Sequence, residues 1–150
     1  MSTALETAVT AGKLVYAFVD AIGQGDVDTA FALVSPEVQA VIWPTEVSAG
    51  YDEARAFFAE ATTAFPDLML TARSVIEFPD GRVLAEVTFE GTQAGDFLSV
   101  LNQEKHVDVH QAWVMDVNRD QIVGITGYWD QNQLYRRLGV KRLDRISIAS

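Results

Sequence analysis

No cysteine occurs among the 150 residues, which excludes disulfides, zinc–thiolate centres, iron–sulfur clusters and thiol nucleophiles together. Any chemistry must run on oxygen, imidazole or amide groups. Basic residues are scarce, with 11 Lys and Arg against 21 Asp and Glu, for a net charge of −10 and a pI near 4.4. Such a chain repels polyanions, so nucleic acid is not an expected partner. Long apolar runs are absent too. The stretches present are interrupted by polar residues and fall far short of the roughly 20 that a membrane-spanning helix requires, so no membrane contact is expected. The opening MSTALETAVTAGKLVY has no basic start, apolar run and small-residue cleavage site in sequence, and a cytoplasmic location is the expectation.

What the chain does have is apolar content: 49% of its residues, enough for a real core in one domain spanning 1–150. Its few cations are bunched at the end, where Arg136, Arg137, Lys141, Arg142 and Arg145 stand against Asp144, so that 141–150 reads as a basic C-terminal tail.

Between Ala8 and Ile22 the residues Ala11, Leu14, Val15, Phe18, Val19 and Ile22 recur at helical spacing. Gly23 and Gly25 end that helix. Asp26 is placed to cap a short second helix over 26–34, which stops before Pro36, and a third runs over 50–64 with Asp52 and Glu53 in its first turn. A short strand, Val38 to Trp43, lies between them. After Pro66 the apolar period changes to two, predicting strands over Leu68–Phe78, Arg82–Gly91, Lys105–Asp116 and Gln121–Trp129. Pro79-Asp80-Gly81 and Asn118-Arg119-Asp120 read as hairpin turns, and the long segment Gly91–Lys105 as a lid or rim. Asp130 is placed to cap a closing helix, LYRRLG. Helices first and strands second predict an α+β fold in which three N-terminal helices cover the concave face of a curved antiparallel sheet.

The strand from Lys105 to Asp116 separates by parity into Val107, Val109, Gln111, Trp113 and Met115 on one face and His106, Asp108, His110, Ala112, Val114 and Asp116 on the other. The odd face is apolar and points inward, which makes Gln111 its one polar group. A buried amide needs a partner, either the protein itself, water or a ligand oxygen. His106 and His110 suggest a metal, but positions four apart on a strand lie about 13 Å apart, too far to share an ion, so no metal is expected. Phe18, Trp43, Phe58, Trp113 and Trp129 come from elements that converge under the sheet, where a flat apolar or aromatic small molecule can stack. Asp130 is a candidate general acid or base as well as a cap. Tyr16 and Asp20, four apart on the first helix, are a polar pair at a pocket mouth or on the surface.

The order of elements, the FPDL after the third helix, the FEGTQAGDFL segment and the closing GYWDQNQLYRRLG resemble the SnoaL-like polyketide cyclases over roughly residues 8–140. The resemblance implies the cone-shaped fold of nuclear transport factor two and ketosteroid isomerase. It also implies a homodimer packed sheet to sheet, with His110 near the interface, and a cofactor-free intramolecular aldol closure in polyketide or other aromatic secondary metabolism. It aligns Gln111 with the family's polar pocket wall. The family's proton-moving aspartate falls at Gly127, which has no proton to transfer, or, with a small shift, at Asp130; Asp130 and Gln111 are therefore the implied catalytic residues. The isomerase's first-helix tyrosine corresponds to Phe18 and its base falls near Ile42 or Trp43. A non-catalytic ligand-binding or dimerisation module is the alternative, as is a ring hydroxylase or epoxide hydrolase on the same fold, though the hydrolase's Asp-Arg-Asp set is not seen.

Overall fold

The computed structural model describes residues 10–42 and 47–139. Helix α1 (Ala11–Gly23) begins at Thr10, whose extended backbone and Oγ1, accepting from the Lys13 N–H at 3.1 Å, satisfy one of the helix's free donors. The Glu77 carboxylate, from the far side of the chain, accepts from the Gly12 N–H. The stripe Leu14, Val15, Phe18, Val19 and Ile22 is buried, as its spacing predicts. Gly25, at φ 77°, turns the corner, and Asp26 caps α2 (Val27–Phe31) by accepting from the Thr29 N–H at 3.0 Å. The hydrogen bonds from Thr29 hold the Asp26 carboxyl below its ordinary pKa.

Here the structure departs from expectation. The second helix ends at Phe31 rather than 34, and β1 (Val34–Ile42) begins four residues ahead of the predicted Val38, running through Pro36. Proline is tolerated because the pairing register shifts between Val34 and Gln39, so its missing N–H falls in an irregular stretch of the ladder.

The chain continues through β2 (Val47–Ala49), α3 (Tyr51–Ala64), β3 (Met69–Glu77), β4 (Arg82–Thr92), β5 (His106–Asn118), β6 (Gln121–Trp129) and α4 (Gln131–Arg137). The architecture is α+β. One curved six-stranded sheet has the order β2-β1-β6-β5-β4-β3, antiparallel except where β1 runs parallel to β6. Helices α1, α2 and α3 pack with the sheet's inner side chains into one core. On β5 the odd residues from Val107 to Met115 are buried, while His106, Asp108, His110 and Asp116 are exposed.

The segment after β4 is fastened rather than free. Phe97, 3% exposed, packs edge-on to Phe65 at 5.2 Å and stacks on Phe89 at 6.1 Å. Leu98 and Ser99, at φ 48° and 66°, turn the chain back so that Val100 bridges Phe97. Buried Gln93 donates from Nε2 to the Val100 carbonyl and accepts from the Gln103 N–H, each at 3.2 Å. Gln93, Phe97 and Val100 thus anchor the segment in the core, while residues 101–105 stay exposed at its outer edge.

Candidate functional site

A cavity opens between the helices and the sheet. Its walls are Phe18, Val19 and Ile22 from α1; Phe57, Phe58 and Ala61 from α3; Leu68 and Leu70 at β3; Val87 and Phe89 from β4; and Gln111, Trp113 and Met115 from β5. Twelve walls are apolar and one is an amide. Rings fill most of the space: Phe58 meets Phe18 and Trp113 at centroid distances of 5.3 Å each. The free interior is ≈20 Å³, room for about one water. A larger ligand enters only if side chains give way.

Gln111 is 9% exposed, and its Oε1 accepts from the Trp113 indole Nε1–H at 3.0 Å. An indole nitrogen can only donate, so the partner it faces must be the amide oxygen, which leaves Gln111 Nε2 as the end free to donate. Opposite Trp113 in the β5–β6 pairing stands Gly127. A Cβ there would lie 2.4 Å from Trp113 Cζ3 and 2.7 Å from Cη2, so the indole occupies the room that any side chain at 127 needs.

Phe18, Phe58, Trp113 and Gln111 thus meet at one cavity. Trp129 stands one ring behind it, stacked on Phe57 at 5.9 Å and 6.0 Å from Trp113. Its Nε1–H donates to Gln131 Oε1 at 2.7 Å, and Gln131 Nε2 donates to the Tyr135 hydroxyl at 2.8 Å. Trp43 lies outside the described residues. Asp130 is exposed, is absent from the cavity walls, and accepts from the Gln133 N–H at 3.1 Å as the N-cap of α4. Asp130→Ala should therefore lower stability by about 1 kcal/mol, with Asp130→Asn largely retaining it. Urea denaturation of the two variants checks this; equal losses would show that the cap contributes nothing.

Tyr16 and Asp20 line a surface dimple that shares Val19 and Leu70 with the cavity wall. The histidines face outward, His106 Nδ1 lying 3.1 Å from Thr92 Oγ1 and His110 Nδ1 3.4 Å from Thr88 Oγ1. The carboxyls whose pKa is held low beyond Asp26 are also outside the cavity: Asp67 by the Thr92 N–H, and Asp80 by the Arg82 N–H and guanidinium. Sequence reasoning missed Phe57, which joins the cavity to Trp129. Its place beside Phe58 on a helix was the available signal. It also missed the fit between Trp113 and Gly127.

The SnoaL-like polyketide cyclase family model matches residues 13–138. The chain belongs to that family. No curated protein matches it. Among solved structures, this SnoaL-like chain is similar to a candidate polyketide cyclase from Pseudomonas putida KT2440, at 22% identity and TM-score 0.79, covering 87% of this chain and 99% of that one. It is also similar to AclR, a candidate hydroxylase from Streptomyces galilaeus, at 21% identity and TM-score 0.77, covering 88% and 86%. A protein of ketosteroid isomerase-like fold from Catenulispora acidiphila DSM 44928 aligns at 14% identity and TM-score 0.71, covering 85% and 93%. These likenesses establish the fold.

Proposed function

We propose that this SnoaL-like protein takes an uncharged, largely apolar carbonyl compound into the cavity and assists a cofactor-free proton-transfer reaction of the cyclase or isomerase type. The observation that carries the reading is the isolation of Gln111 among apolar walls, with Nε2 left as a donor. Loss of a proton from the carbon beside a ketone moves charge onto the ketone oxygen, and a fixed donor in a dry site stabilises that oxygen more than water does. The enolate carbon can then bond to a second carbonyl of the same molecule, whose oxygen takes up a proton. No titratable side chain lines the cavity among the described residues. The proton carrier in this reading is water, and the substrate is one already acidic at that carbon, as between two carbonyls.

The same absence favours a second reading, a binding module without turnover. An aromatic polyketide ketone, followed by tryptophan fluorescence and product formation, separates the two. Under the catalytic reading Gln111→Leu slows turnover roughly 100-fold or more, the scale seen on removing one oxyanion donor. Binding without turnover supports the module, and failure of all such ketones to bind removes both readings. Assembly as a homodimer through the outer sheet face is part of the proposal, tested by sedimentation.

A further inference from the structure

We infer that Trp113 is a specificity-determining residue, locking Gln111 so that the cavity favours ligands able to accept a hydrogen bond over those able only to donate one. The inference rests on the pocket reading above. A free glutamine amide is ambidextrous: rotated by half a turn, it offers oxygen or nitrogen, and a pocket with such an amide accepts either kind of ligand. Here rotation is prevented by chemistry. Turning the amide would set its NH2 against the Trp113 Nε1–H, two donors face to face, and would break the 3.0 Å bond in a site where Gln111 is 9% exposed.

The lock depends on the position of the indole, and that position depends on Gly127. The six-membered ring of Trp113 lies against the glycine, 2.4 Å from where a Cβ would stand, and Phe58 packs on the same indole at a centroid distance of 5.3 Å. Glycine at 127 therefore does more than leave out an acid. It supplies the space from which the indole N–H reaches the amide oxygen. The matching ligand is a flat, uncharged molecule with a carbonyl or ether oxygen, accepting from Gln111 Nε2.

Three probes of similar size test this: acetophenone, which only accepts; indole, which only donates; and ethylbenzene, which does neither. Their affinities are measured by titration against wild type, Gln111→Leu and Trp113→Phe, with the Trp113 Nε1–H and Gln111 Nε2–H2 signals followed by heteronuclear NMR. Comparing ratios between proteins cancels each probe's own hydration. The acetophenone-to-ethylbenzene affinity ratio should be about 3- to 10-fold higher in wild type than in Gln111→Leu. Trp113→Phe, which removes the indole N–H but keeps a ring, should bring the acetophenone-to-indole ratio down by a similar factor. Acetophenone should shift the Gln111 Nε2–H2 signals in wild type.

If acetophenone and ethylbenzene bind but their ratio is the same in wild type and Gln111→Leu, or if Trp113→Phe leaves the acetophenone-to-indole ratio unchanged, the lock is overturned while the pocket stands. If no probe binds and neither signal moves, the pocket reading itself falls. The NMR spectrum of each variant establishes that it is folded, and a second replacement, Gln111→Met, repeats the deletion with an unbranched side chain.

Discussion

Gly127→Asp should cost about 3–5 kcal/mol of stability. The new Cβ meets a ring held by Phe58 and Trp129, and overpacking of that kind costs about 1–3 kcal/mol. A carboxyl pressed against an indole without a hydrogen-bonding partner adds a few kcal/mol more. Typical domains have only about 5–15 kcal/mol to lose. The measurement is the urea midpoint, with an unchanged slope showing that the unfolding reaction is the same. A double-mutant cycle of Gly127→Ala with Trp113→Phe should show coupling of about 1 kcal/mol or more, because the shorter ring withdraws from the contested space. Independent, additive effects would mean that the two residues do not compete for it. An acid at position 127 escapes that cost only if position 113 is also changed.

Phe58→Ala should lower stability by about 3–5 kcal/mol, the usual cost of deleting a buried aromatic ring. Phe58 lies 5.3 Å from Phe18, 5.9 Å from Phe31, 5.2 Å from Phe57 and 5.3 Å from Trp113, so its ring touches α1, α2 and β5 at once. It is also a wall of a cavity with ≈20 Å³ of free interior, and its removal should let a benzene-sized molecule bind and raise the melting temperature of the variant. A loss below about 1 kcal/mol, with no effect of benzene, would mean that the walls close into the gap.

The helical stripe of α1, the parity of β5 and the Asp130 cap were legible because each is a local pattern: a period, an alternation, a capping side chain before a helix. The early start of β1 was not. Val34 to Glu37 contains a proline and reads as a break, and only pairing with β6, nearly ninety residues later, makes it a strand. The relation of Trp113 to Gly127 was hidden by a single residue. Counting back from the Asn118–Gln121 pair sets Trp113 opposite Thr126, but the register shifts between Asp116 and Val117, with Val123 left over, and brings Gly127 across instead. A one-residue slip reverses which face a side chain occupies, so the fold was readable where the site was not. Gln111 was found as an inward polar group. Its orientation needed the indole's position, which no spacing rule supplies.

The parallel pairing of β1 with β6 has a consequence for how the molecule is made. During synthesis the first strand has only the three-residue β2 beside it, because its neighbour on the other side is the last strand to be translated. Strands β3, β4 and β5 can pair in turn as hairpins while the chain is still growing, but β1 joins their sheet only through β6. Completion of the sheet therefore waits for Trp129 to clear the ribosome, and until then β1 lacks its long partner. A chain stalled before Gln121 should engage holdase chaperones, and the same chain extended until Trp129 has left the exit tunnel should release them.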